Sequence, residues 1–204
     1  MPAETIFTAV DLIGVFVGAL TGALVARRFR YDVAGHWGLA LVSGLGGGMI
    51  RDVLIQDGAP RALVDPLYLP TVLVAAACSV FFGRRVDQLK GPILVADAIA
   101  LGDFAVAGCL RSIDAGLGVW PVVLLGVITA VGGGVIRDML TGQPPVIFQE
   151  STLYATAALA ASIAVVVTHA LGAPRPLTFV VGLGVGVLLR LGSVRYNWRL
   201  WVPR

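Results

Sequence analysis

Gly46-Gly47-Gly48-Met49-Ile50-Arg51-Asp52-Val53-Leu54 recurs as Gly132-Gly133-Gly134-Val135-Ile136-Arg137-Asp138-Met139-Leu140, at an offset of 86 residues. The match runs upstream as well. Over Leu39–Leu54 against Leu125–Leu140, 8 of 16 positions are identical and the other 8 are close swaps. The same offset pairs Asp11 with Asp97, Gly22 with Gly108 and Tyr68 with Tyr154. Chance likeness of apolar sequence accounts for Leu against Val. It does not account for a shared glycine triplet, Arg-Asp, Asp and Tyr in one register.

The repeated unit lies in a chain of 204 residues that is 57% hydrophobic and 13% charged, with a net charge of +3. Mean hydropathy is +0.89. A soluble domain carries about a quarter charged residues, so these values exclude both a soluble globule and a disordered chain. A bilayer-spanning helix needs about 20 mostly apolar residues. Seven segments answer to that: Ile6–Ala26, Trp37–Ile55, Leu67–Gly83, Pro92–Leu110, Leu117–Leu140, Ser151–Leu171 and a short, glycine-rich Leu177–Leu189. The expected fold is an all-α polytopic membrane protein of seven transmembrane helices in a single membrane domain, 1–204. Repeat 1 covers about 6–83, repeat 2 about 92–171, and the seventh helix about 177–189. Three spans per copy is an odd number, so the second copy enters the membrane from the opposite side. The result is two inverted three-helix repeats plus a seventh helix.

Orientation follows the basic residues. Arg27, Arg28, Arg30, Arg84, Arg85, Lys90, Arg190, Arg195, Arg199 and Arg204 fall on one side, and Arg61, Arg111 and Arg175 on the other. The N-terminus is therefore expected outside and the C-terminus in the cytoplasm. Residues Met1–Ile6 carry Glu4 and no Lys or Arg, so no cleavable signal is expected. The tail Arg195-Tyr196-Asn197-Trp198-Arg199-Leu200-Trp201 reads as an anchor on membrane lipids at the interface.

The glycine triplets begin about ten residues into spans 2 and 5. Each interior glycine weakens a helix by about 1 kcal/mol relative to alanine. Two readings stand side by side. Gly46, Gly47, Gly48 and Gly132, Gly133, Gly134 kink or unwind their helices, as in discontinuous membrane helices, or let two helices cross closely, and the two are compatible. Arg51, Asp52, Arg137 and Asp138 follow within spans, where charges face a bundle interior or a wet cavity, so all four are candidate pore or gate residues. Neighbours on a helix diverge by about 100°, which favours partners on other spans over Arg51–Asp52 pairing. Asp11 and Asp97 lie near span starts and read as caps. Asp103 lies deeper, opposite Val17 in the first copy. It is a candidate cation-attracting residue, with a partner role for Arg51 or Arg137 as the alternative. His36 and His169 read as interfacial. Gly14, Gly18 and Gly22, and Gly182 and Gly186, mark helix-contact faces. Cys78 and Cys109 lack disulfide or metal spacing. There is no nucleophile constellation, HExxH or Walker loop, so no enzyme, cofactor or metal role is expected, and no nucleic-acid partner.

Two three-span copies, each with Gly-Gly-Gly-x-Ile-Arg-Asp in its second span, followed by a seventh span, resemble the trimeric intracellular cation channel family in its prokaryotic branch. The resemblance implies a homotrimer in a prokaryotic plasma (inner) membrane, with one ion pathway per protomer kinked at the triplets. It also implies passage of monovalent cations, K⁺ and Na⁺ among them. Animal members bind phosphoinositides, and no cluster in this sequence requires that. The alternative function is a secondary transporter of a small zwitterion such as glycine, since inverted repeats serve transporters as well.

Overall fold

The computed structural model describes residues 2–86, 90–149 and 152–201. Ser151 and Arg204 lie outside the described residues, as do the side chains of Glu4, Ile6, Arg84, Arg85 and Lys90. The described chain is helical: α1 (Pro2–Arg28), α2 (Val33–Ile55), a single turn α3 (Arg61–Val64), α4 (Tyr68–Val86), α5 (Lys90–Asp114), α6 (Val119–Leu140), α7 (Ala155–Ala170) and α8 (Arg175–Arg195). A 3₁₀ turn at Val146–Phe148 lies between α6 and α7. Five segments are long and apolar enough to cross a bilayer: Thr8–Arg28, Val33–Ile55, Gly91–Asp114, Val119–Leu140 and Arg175–Arg195. Two apolar helices are shorter, Tyr68–Gly83 and Ala155–Ala170. The protein is thus an all-helical, multi-pass membrane protein.

Local chemistry sets the helix ends. Asp32 caps α2, its Oδ1 accepting the Gly35 N–H at 2.8 Å. α5 closes with Gly116 in the left-handed region (φ 75°), while the Leu117 N–H reaches back to the Ser112 carbonyl. α8 starts with a proline in its first turn, where no N–H is missed.

Small residues carry the packing. Ala19, Ala23, Ala40, Ala75 and Ala76 are fully buried in one cluster with Val15, Leu45 and Val72. Ala105, Ala157, Ala158 and Ala161 are fully buried in a second, with Leu101. α1, α2 and α4 pack together around the first; α5, α6 and α7 pack together around the second; α8 lies on α5 and α7. The two groups meet where α2 touches α6 and α1 touches α5. Large apolar side chains face outward, Trp120 at 83% exposure among them, with Phe81, Phe148 and Leu188. A soluble protein hides such groups. In lipid they are matched by their solvent, and association relies on close backbone approach through small residues.

Glycines make those approaches. Gly18 lies against the Ser43 carbonyl and Gly44, so α1 and α2 touch backbone to backbone. Gly186 lies on Gly102 and Ala161, seating α8 between α5 and α7.

Candidate ion pathway

α2 and α6 cross at their glycine triplets. Hydrogen-bonded helix runs through Gly46–Gly48 and Gly132–Gly134 without interruption. Neither triplet is unwound; of the two readings, close crossing is the one the contacts show. Opening the helix would leave amides and carbonyls unpaired in an apolar setting, which costs more than the weak helix propensity of glycine. What the missing side chains provide is contact. A Cβ on Gly47 would run into the Thr129 carbonyl, and a Cβ on Gly133 into the Ser43 carbonyl. A Cβ on Gly132 would lie 3.1 Å from the Gly47 Cα. As residue numbers rise along α2, the facing numbers fall along α6. The helices cross antiparallel, so Arg51-Asp52 and Arg137-Asp138 emerge on opposite sides of the crossing.

Each Arg-Asp pair borders a cavity. The first is lined by Asp11, Gly48, Arg51, Asp52, Arg61, Tyr68, Phe104 and Thr129, with apolar Val15, Leu45 and Met49. The second is lined by Asp97, Gly134, Arg137, Asp138, Tyr154 and Arg190, with Val131, Val135, Val146 and Ile147. Asp11/Asp97, Gly48/Gly134, Arg51/Arg137, Asp52/Asp138 and Tyr68/Tyr154 all stand at the same offset of 86. The sequence repeat is thus written into two matched cavities either side of one crossing.

In the first cavity the Arg51 Nε–H donates to Asp52 Oδ1 at 2.8 Å. The other oxygen, Oδ2, accepts the Arg61 N–H at 2.9 Å and so ties α3 back to α2. Arg111 stands 4.0 Å from Asp52 Oδ1. In the second, Arg137 Nη2 donates to Asp138 Oδ1 at 2.7 Å, and Asp138 Oδ2 accepts the Val146 N–H at 3.2 Å. The expectation that neighbouring Arg and Asp would seek other spans instead of each other is corrected in both copies, although Asp52 also has Arg111 of α5 within ion-pair distance. An arginine side chain is long enough to bend along the helix surface, and near the helix end nothing blocks it. Asp52 and Asp138 each fasten the next short turn as well.

Asp11 and Asp97 are not caps. α1 and α5 begin well before them, which places both carboxylates along the helix body. The Tyr68 hydroxyl donates to Asp11 Oδ2. Asp97 has the Tyr154 hydroxyl as a hydrogen-bond partner and Arg190 Nε at 4.0 Å. The Arg190 guanidinium also lies over the Tyr154 ring, 4.7 Å from its centre, and donates from Nη1 to Thr152 Oγ1 at 2.9 Å. Asp103 pairs with neither Arg51 nor Arg137: both its oxygens are buried without a hydrogen-bond partner. His36 is buried near the start of α2, its Nδ1 2.9 Å from the Asp32 carbonyl. Cys78 and Cys109 are free thiols.

Sequence reasoning missed Arg61, Tyr68, Tyr154, Phe104 and Arg190 as site residues. The tyrosines were findable, since they repeat at the shared offset. Arg61 and Arg190 have no arginine counterpart at that offset.

Comparison with known proteins adds to this geometry. A family model described as Glycine transporter matches twice, at residues 8–84 and 94–170. Those two matches are displaced by the same 86 residues. The UPF0126 inner membrane protein YadS of Escherichia coli is 32% identical over 192 residues, covering 93% of this chain and 92% of its own. A solved structure concerned with conductance through TRIC cation channels superposes with a TM-score of 0.93 at 32% identity, covering 97% of each chain. The TRIC trimeric intracellular cation channel orthologue from Rhodobacter sphaeroides superposes with a TM-score of 0.87 at 35% identity, covering 95% of this chain and 100% of its own.

Proposed function

The chain belongs to the prokaryotic branch of the trimeric intracellular cation channel family, whose family model is described as glycine transporter, and on that premise we propose a passive cation channel with one pathway inside each protomer. The observation that carries the reading is the pair of matched, charged cavities on opposite sides of the α2–α6 crossing. Ions enter one cavity, pass the glycine crossing, and leave by the other. Gly46–Gly48 and Gly132–Gly134 are where α2 and α6 bend as the path opens, because three successive glycines make the weakest stretch of each helix. Asp11, Asp52, Asp97 and Asp138 give each cavity carboxylates that attract cations; Arg51 and Arg137 keep Asp52 and Asp138 in place, and Tyr68 and Tyr154 do the same for Asp11 and Asp97.

In this reading α1, α2, α4, α5, α6, α7 and α8 all cross the membrane. The first three and the next three form two inverted copies, and α8 is the seventh crossing. α7, at 16 residues, is short for a crossing, and the bilayer thins around it. Three protomers assemble through their outward apolar faces. The protein resides in the inner membrane of a prokaryote with its C-terminus in the cytoplasm. There Arg195 and the stacked pair Tyr196–Trp198, ring centres 5.7 Å apart, lie at the lipid headgroups.

The test is electrical. Purified protein in planar bilayers with K⁺ on both sides is expected to give unitary currents, with a reversal potential under a K⁺/Na⁺ gradient that reports selectivity. Saturable, ion-coupled glycine uptake into liposomes without such currents would replace the channel with a carrier.

A further inference from the structure

The two cavities differ in size, about 30 Å³ for the first against about 160 Å³ for the second. Asp11/Asp97, Gly48/Gly134, Arg51/Arg137, Asp52/Asp138 and Tyr68/Tyr154 are identical across the offset and do not cause the difference, whereas Arg61 stands opposite Ile147 and Phe104 opposite Arg190. Asp103-Phe104 does differ: the first copy has Val17-Gly18 at the equivalent positions. Phe104 lines the first cavity and packs against the cores of both helix groups. Its ring edge rests on Gly14 of α1. A Cβ there would stand 3.0 Å from Phe104 Cε1 and 3.2 Å from Asp103 Oδ2. Ring and carboxylate therefore lie side by side on one glycine.

Asp103 is 1% exposed, and neither oxygen has a hydrogen-bond partner. The charged group whose field reaches it is Asp11, another carboxylate, one helical turn before Gly14 and in the lining of the first cavity. A carboxylate is costly to bury without a donor, and a second carboxylate nearby adds to the cost. Charged groups kept inside a membrane bundle mark the path of ions. Among the described residues no group of three or more His, Cys, Asp or Glu side chains gathers here, as a divalent ion would demand.

We propose that Asp103 and Asp11 form a binding station for a monovalent cation, and that the Phe104 ring is its door. With the ring on Gly14 the station is sealed and the first cavity is small. When the ring swings away, the Asp103 carboxylate joins that cavity and an ion sits between the two acids before it meets the glycine crossing. This rests on the channel reading for its place in the pathway; the station itself is tested without it.

The binding test is thermal unfolding in K⁺ against N-methylglucamine at equal ionic strength. Wild type is expected to melt at a higher temperature in K⁺, and Asp103→Asn and Asp103→Val to lose that shift. Valine is the residue the first copy carries at this position, so the second variant guards against misfolding of the first. A K⁺ shift that survives both substitutions overturns the station. The conduction test compares single channels across a K⁺ series. Asp103→Asn is expected to lower conductance about threefold at low salt and less at high salt, where screening shortens the reach of the charge. Phe104→Ala is expected to raise conductance, and the gain to vanish in Phe104→Ala/Asp103→Asn. A gain that persists in the double variant overturns the door, and an effect of Asp103→Asn on pH dependence alone makes the bound species a proton and overturns the metal-ion station. Absence of wild-type currents beside an intact K⁺ shift would remove the channel reading and leave the station standing.

Discussion

At the residue scale, what each triplet glycine touches decides what it does. Gly47 and Gly133 meet the carbonyl oxygens of Thr129 and Ser43, and backbone cannot yield as a side-chain tip can. Gly48 and Gly134 have only an arginine nitrogen at 3.8 Å within reach of an added Cβ. The triplet is thus not uniform. Gly47→Ala and Gly133→Ala must push α2 and α6 apart, and each is expected to cost about 1–3 kcal/mol, the usual penalty of overpacking. Gly48→Ala and Gly134→Ala gain helix propensity without a clash and are expected to be neutral or stabilising by up to about 1 kcal/mol. Thermal unfolding of the four purified variants checks this, and equal melting of Gly47→Ala and Gly48→Ala would count against a glycine-made crossing. The sequence exposed the triplets and their depth. Whether they break or pack depends on the opposing backbone, which a single chain read in isolation does not display. The Arg-Asp neighbours failed for a related reason: helical spacing fixes where Cβ atoms point but not where a long guanidinium side chain ends.

At the scale of elements, Asp52 and Asp138 act as fasteners between a long helix and the turn that follows. Each accepts an arginine N–H with one oxygen and a backbone N–H with the other. The burial of the two differs. The Arg51 and Asp52 side chains are 9% and 5% exposed, and those of Arg137 and Asp138 are 18% and 11%. Removing one partner of a buried pair leaves the other charge uncompensated. Asp52→Asn is therefore expected to cost about 3 kcal/mol or more, and Asp138→Asn less, because water reaches its partner. Hydrogen exchange is expected to quicken over 56–64 in the first variant and over 141–148 in the second, with each effect confined to its own side of the crossing. Unchanged exchange in both would mean that the turns are held by other contacts. The bidentate Arg175–Asp114 pair, at 2.9 and 2.8 Å, joins the start of α8 to the end of α5. It is exposed, and Asp114→Asn is expected to shift stability by less than about 1 kcal/mol and to lose even that in high salt. Apolar length showed where the helices are, whereas α3 and the 3₁₀ turn were not legible, because one turn of helix leaves no period in the sequence to detect.

At the scale of the whole molecule, the offset of 86 makes a geometric demand. If two copies of three crossings are inserted in opposite senses, residues at that offset must emerge on opposite faces of the membrane. Asp57 follows α2 and Gln143 follows α6; they are equivalent under the offset, and both are exposed. The antiparallel crossing already separates the ends of α2 and α6, and the basic residues choose which end faces the cytoplasm. In a background lacking Cys78 and Cys109, Asp57→Cys is expected to react with a membrane-impermeant maleimide on intact cells. Gln143→Cys is expected to react only after permeabilisation. Gly116→Cys, in the turn after α5, should label with position 57. Labelling of 57 and 143 from the same face would end the inverted arrangement. It would also strand both cavities on one side, where no path through the crossing links two compartments. The opposite pattern, 143 outside and 57 within, would keep the inversion and reverse only the choice made by the basic residues. The experiment therefore tests the fold's symmetry and its orientation separately, with one pair of substitutions.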